Sequence, residues 1–171
     1  MEGEQRRTYI LELLCGTDSP LSGSELAKQC GVSRQVIVQD IALLRATNKN
    51  ILSTYKGYLI YQPEKDQNNV KRTYAVSHDD DRIRDELYTI VDYGGKVLDV
   101  IVNHEVYGPI TVDLILNNRS DVDDFVFKLS AAPAKPLKEL TGGNHFHTVE
   151  AASEKILDQI AAQLNQKGYL L

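Results

Sequence analysis

The chain has 171 residues, of which 42% are hydrophobic and 25% charged, with a formal net charge of −5. A length of this order holds one medium domain or two small ones, and the apolar share is enough for each to build a core. No run of about 18 apolar residues and no charged-then-apolar leader is present, which argues against a membrane span or a secretion signal and points to the cytoplasm. The two cysteines, Cys15 and Cys30, read as small buried apolar residues of a reduced protein, not as a disulfide or metal ligands.

In chain order, Ile10, Leu11, Leu13 and Leu14 give residues 4–14 the broad apolar stripe of a helix. The Gly-Thr-Asp-Ser-Pro run at 16–20 ends it. Ser22 followed by Glu25 is a capping-box pair and opens a second helix reaching Gln29 or Cys30. Gly31-Val32-Ser33 makes a tight turn, and Ser33 caps a third helix over 34–45. Two short β-prone runs, 51–53 and 58–61, flank Lys56-Gly57 and read as a hairpin, the wing of a winged helix. The polar stretch 63–70 has no apolar period and is the expected linker between a module over 1–62 and another over 71–171. Beyond it the pattern predicts a strand at 71–77, a helix at 79–93, strands at 96–103 and 109–116, and a helix at 120–131. A Pro/Ala loop at 132–136, a strand at 144–149 and a helix at 151–167 follow. The expected class is α+β: an N-terminal winged helix-turn-helix, then an antiparallel sheet with helices on one face.

A helix-turn-helix needs a small residue where its helices meet, a glycine in the turn and an aliphatic that anchors the second helix. Ala27, Gly31 and Ile37 fill these positions, and glycine tolerates the positive φ that such a turn requires. Ile37, Ile41 and Leu44 recur at helical spacing and face the core. The start of the helix then presents Ser33, Arg34, Gln35, Val38 and Gln39 outward. Arg suits the guanine edge and Gln the adenine edge in the major groove, and Lys56 in the wing suits phosphate. The expected partner is double-stranded operator DNA. Residues 1–62 carry only seven Lys and Arg against six Asp and Glu, so tight binding calls for a homodimer that sums two half-sites. Residues 63–171 carry twelve against eighteen; this acidic module is expected to supply the dimer contacts.

All four histidines, His78, His104, His145 and His147, lie in the second module. Side chains alternate along a strand, so His145 and His147 project from one face while Phe146 enters the other. Two imidazoles so placed can chelate one ion at roughly 2.0–2.1 Å per nitrogen. On the following helix Ile83, Leu87, Ile90 and Val91 define the buried side, and Glu86 on its flank is the carboxylate best placed to turn toward the sheet. His78, Glu86, His145 and His147 therefore make a candidate site of three imidazoles and a carboxylate. His104 precedes a Glu-Val-Tyr-Gly turn and can line a pocket or simply serve the turn. No P-loop, dinucleotide fingerprint, HExxH or Ser/Cys nucleophile arrangement is present.

His78, the run VDYGGKVLDVIVNHEVYG at 91–108 and LTGGNHFHT at 140–148 resemble the 3H domain, named for its histidines. With a biotin-repressor-like winged helix in front, essentially the whole chain resembles the niacin-responsive transcriptional repressors. The resemblance implies a homodimeric repressor, not an enzyme, acting on NAD-biosynthesis or niacin-uptake genes with nicotinic acid as corepressor. It also implies one divalent transition metal per chain (Zn, Ni, Fe or Co), whose matching ligands are His78, Glu86, His145 and His147. A pyridine carboxylate docked beside that ion or directly on it would have Tyr93, His104 and Tyr107 as expected pocket walls. Two other readings stay open on the residues. One is a metal-sensing repressor with no organic effector. The other is a metal-dependent hydrolase carrying a DNA-binding domain, since such a ligand set with an open position can activate water. Against the hydrolase, no second general base is evident, and Asp79, Asp80 and Asp81 suit a helix N-terminus.

Overall fold

A computed structural model describes residues 1–47, 50–61 and 68–171. Most of the expected linker, 63–67, lies outside the described residues. The chain divides into two compact units, Met1–Lys65 and Asp66–Leu171.

The first unit contains helices α1 (Gly3–Cys15), α2 (Gly23–Cys30) and α3 (Arg34–Thr47), then the antiparallel hairpin β1 (Ile51–Thr54) and β2 (Gly57–Ile60). The Ser22 hydroxyl accepts from the Glu25 amide while the Glu25 carboxylate accepts from the Ser22 amide, so the capping box is complete. Gly31 ends α2 in the left-handed region at φ 66°. Ile10, Leu14, Leu26, Ile37, Ile41 and Ile51 are buried together as the core of this unit. Asp40 is buried with them because Arg6 and Arg7 reach it from α1, at 2.6 and 3.3 Å; stripped of those cations its charge would be costly to hold there. The wing is larger than a hairpin: Leu21 and Tyr58 exchange both main-chain hydrogen bonds, which gives β2 a second neighbour. Gly57 permits this close approach, since a Cβ there would stand 2.3 Å from the Leu21 carbonyl oxygen. The expectation of two buried cysteines needs correction. Cys30 is buried, but Cys15, the last residue of α1, is exposed.

The second unit is a four-stranded antiparallel sheet in the order β3-β6-β4-β5, formed by Val70–Ser77, Asn144–Ala151, Lys96–His104 and Gly108–Leu116 respectively. Helices α4 (Ile83–Asp92), α5 (Arg119–Ala131) and α6 (Glu154–Gln166) cover one face, with α4 touching both of the others. The class is α+β, as expected. Tyr74 and Val76 of β3, His145, His147 and Val149 of β6, and Leu87, Ile90, Leu157 and Ile160 of the helices are buried between the layers. Two short 3-10 turns depart from the sequence reading, Asp80–Arg82 before α4 and Leu137–Thr141 before β6. The tail returns along β3, where Tyr169 accepts from the Ser77 amide and the Leu171 amide donates to Ala75.

Strand β4 loses register with both neighbours over one short stretch, between Val97 and Asp99 against β5 and between Val97 and Ile101 against β6. A bulge inserts a residue and reverses the face that later side chains present. Val97 and Val102 are accordingly both buried, although an unbroken alternation would put them on opposite faces. In β5, Ile115 has φ 56°, the one non-glycine positive φ among the described residues. The left-handed region costs an L-residue roughly 1–2 kcal/mol, and a β-branched side chain is especially ill suited to it. No described helix is long and apolar enough to cross a membrane.

Candidate functional site

Four residues from three segments of the chain converge between α4 and the sheet. His78 follows β3, Glu86 occupies the first turn of α4, and His145 and His147 lie on β6. All four are buried, Glu86 completely. Ligand atoms of His78, Glu86 and His145 lie within 4.8 Å of one another. His147 joins through its Nε2, 3.5 Å from Glu86 Oε2, and His78 Nε2 stands 3.4 Å from the same oxygen. The His145 ring meets the His78 and His147 rings edge-on, each at 4.9 Å.

The opposite side of each imidazole is fixed by the backbone. His78 Nδ1 pairs with the Asp79 carbonyl at 2.8 Å, His145 Nδ1 with the Gly143 carbonyl at 2.8 Å, and His147 Nδ1 with the Asp99 carbonyl at 2.6 Å. A carbonyl oxygen only accepts, so all three rings donate from Nδ1 and turn Nε2 inward. This is the outer-shell arrangement that orients metal-binding histidines. Among the described residues, His78 Nε2 and both Glu86 oxygens are buried without a hydrogen-bond partner. Orphaned buried polar atoms of this kind are costly. Inward-facing imidazole nitrogens and a carboxylate are donors that a divalent transition metal accepts. The residues fit such an ion.

The electrostatics run the same way. Burial raises the Glu86 carboxyl, but the His147, His78 and His145 imidazoles outweigh it and hold the group well below the usual carboxylate range. Burial, followed by the neighbouring charge of His147, pushes His145 down to about 4. For His147, burial also opposes charge, yet Glu86 prevails and the imidazole is raised.

The cluster opens onto a cavity of about 260 Å³ whose other walls are mostly aliphatic and aromatic, among them Leu87, Val112, Leu114, Phe125 and Leu129. Two lysines of the segment preceding β6, Lys135 and Lys138, complete it. Lys138 is buried, donates to the His78 carbonyl at 2.9 Å and pairs with Asp80 at 2.5 Å. Tyr93, His104 and Tyr107 are not among the described residues lining this cavity. Tyr93 caps the end of α4 and is 41% exposed. His104 ends β4, where its Nδ1 accepts from the amides of Val106 and Tyr107 in the following turn, and Tyr107 is 79% exposed. The sequence reading missed Asp99, Lys138 and Gly143. Asp99 carried a signal, a lone carboxylate inside an apolar strand. Gly143 has φ +95°, and a Cβ there would crowd the His78 carbonyl at 3.3 Å.

In the first unit Ile37, Ile41 and Leu44 are buried, while Ser33, Arg34, Gln35 and Gln39 are exposed and Val38 is half-buried. The Ser33 hydroxyl accepts from the Val36 amide at 3.4 Å. Lys56 sits in the β1–β2 turn, 5.7 Å from the Tyr55 ring centre. The six residues expected to meet DNA thus lie at the start of α3 and at the tip of the wing.

Comparison with known proteins agrees with this division. The 3H domain family matches residues 71–171, and a family described as an HTH domain matches residues 6–59. The chain is 39% identical over 168 residues to a protein of Thermotoga maritima named probable transcription repressor NiaR, covering 98% of this chain and 94% of the relative. It is 41% identical over 170 residues to the transcription repressor NadR of Bacillus subtilis, covering 99% and 94%.

Proposed function

The chain belongs to the 3H-domain family of helix-turn-helix transcription repressors, and from that premise we propose that it represses NAD-biosynthesis or niacin-uptake genes with nicotinic acid as corepressor. The family is one of DNA-binding regulators, not of enzymes. The observation that carries the finer reading is the buried cluster of inward-turned imidazoles and Glu86 at one end of an apolar cavity. His78, Glu86, His145 and His147 would hold a divalent transition metal, which when bound supplies positive charge in an otherwise acidic module. Leu87, Val112, Leu114 and Phe125 give a flat aromatic ring an apolar seat, and the cation end of the cavity favours a carboxylate or ring-nitrogen donor. A purely metal-sensing repressor has no use for such a cavity. Against the hydrolase reading, Asp80 is committed to an ion pair with Lys138.

A ligand that binds the DNA-competent state better than the other shifts the equilibrium toward it, and the coupling is reciprocal. Melting curves with and without Co(II), Ni(II) or Zn(II), each with and without nicotinate, test the reading. Metal is expected to raise Tm, and nicotinate to raise it further in the metal-loaded protein, by about 2.7 kcal/mol of added stability at a hundredfold excess over Kd. His145→Ala should lose both effects. No nicotinate response in metal-loaded protein overturns the corepressor assignment, and full-strength binding to chelator-treated protein separates ligand from metal.

A further inference from the structure

The β4–β6 pairing runs Val97↔Val149 and then Ile101↔Phe146, so Leu98, Asp99 and Val100 oppose only His147 and Thr148. On its other edge β4 breaks from β5 between Val97 and Asp99, beside the left-handed Ile115. Both ladders thus shift register within Val97–Ile101, while Asp99 itself stays paired with Asp113 of β5. In a regular antiparallel pair the Thr148 amide would donate to a main-chain carbonyl of β4. Here it donates to the Asp99 carboxylate, Oδ1, at 2.9 Å. The Asp99 main-chain carbonyl accepts from His147 Nδ1 at 2.6 Å.

We propose that Asp99 is a positioning residue for His147: its side chain stands in for the missing ladder acceptor, and its carbonyl thereby sets the tautomer and the direction of the imidazole. Strands at functional sites commonly carry bulges that re-aim a side chain; this one re-aims a carbonyl, and the imidazole follows. Asp99 itself is not a ligand. Without its carboxylate, the Thr148 amide loses its acceptor, and the strand at residue 99 must shift to offer a main-chain carbonyl instead, which moves the Asp99 carbonyl away from His147. Asparagine keeps an acceptor oxygen at the same reach and alanine does not.

The consequence for metal affinity rests on the metal-centre reading above, but the consequence for the imidazole does not. The experiment therefore has two arms on the full chain. In metal-free, 15N-labelled protein, at a pH high enough to keep His147 neutral, imidazole NMR should show the Nδ1–H tautomer in the unaltered protein and in Asp99→Asn, and a mixture in Asp99→Ala. In the second arm, Co(II) titration should show Asp99→Asn within about threefold of the unaltered protein and Asp99→Ala about 10–100-fold weaker, the usual cost of losing an outer-shell partner. An unaltered His147 tautomer in Asp99→Ala overturns the proposal whatever the cobalt affinity. If the unaltered chain binds no Co(II), the metal-centre reading falls and the tautomer arm alone decides this one. Asp99→Ser, whose hydroxyl is too short for the same bond, replaces alanine if that variant does not fold.

Discussion

His147 Nε2 stands 3.5 Å from the buried Glu86 carboxylate, and a metal held at this site would compete with the proton between them. In the metal-free chain Glu86 raises the His147 imidazole above its ordinary 6.5 although burial opposes the charge. The folded state then binds that proton more tightly than the unfolded chain does. The contribution of His147 to stability is complete below about pH 6.5 and is lost as pH rises through its raised folded value. That of Glu86, held below its ordinary 4.5, is complete above that value and lost as pH falls. A metal needs the same Nε2 lone pair and must displace the proton, so its hold strengthens as pH rises. Burial and the His147 charge push His145 down to about 4, so the folded imidazole is already neutral here and releases no proton to a metal. Its own effect is that stability rises with pH from about 4 through 6.5, where the unfolded chain still binds that proton. Melting chelator-treated and Co(II)-loaded protein at pH 6, 7 and 8 should show a metal-induced gain in Tm that grows with pH. A gain that is constant over the series would mean that His147 carries no proton for the metal to displace.

At the level of single elements, α3 and the wing make separable predictions. Arg34 and Gln35 are exposed at the start of α3, so replacing either with alanine should leave the fold intact. If they read base edges, operator affinity should fall by about 1–3 kcal/mol for each and specificity should relax at one base pair. Lys56→Ala should instead weaken all sequences alike and reduce the salt slope by about one. Titrations on operator and scrambled DNA at several salt concentrations distinguish the two. Equal affinity for both recognition-helix variants and the unaltered protein would remove the assignment. These elements were legible in the sequence because local rules govern them: the Ser22–Glu25 box, the Gly31 turn and the Ile37–Ile41–Leu44 period need no distant partner. The four-residue cluster was legible for a similar reason, since strand alternation and helix period place His145, His147 and Glu86 on facing sides. The double bulge was not. Apart from Asp99 its residues continue an apolar run through 97–102, and the slip exists only in the pairing of β4 with two other strands. The cavity walls escaped for another reason. Leu87, Val112 and Leu114 look like any core residues, whereas Tyr93 and Tyr107 drew notice by lying close to glycine and histidine motifs in sequence.

For the whole molecule, charge and symmetry make one joint prediction. The first module, residues 1–62, has seven basic against six acidic side chains, and residues 63–171 have twelve against eighteen. A single copy therefore offers few phosphate contacts, each worth a salt slope of about −0.9, and its second module is repelled by DNA. Two copies sum their contacts. They also gain specificity, because a two-fold dimer reads the same half-site twice, one helical turn or a multiple of it apart. We expect a homodimer whose protein contacts come from the acidic module, and an operator with a palindrome at that spacing. Sedimentation should give a mass of two chains in the free protein and two chains per duplex in the complex. Inserting five base pairs between the half-sites turns one of them to the opposite side of the duplex, so affinity should fall toward that of a single half-site; inserting ten should restore more of it. A monomer both free and on DNA, or an affinity indifferent to the five-base-pair insertion, would contradict the two-fold arrangement and require the contacts of one copy to suffice.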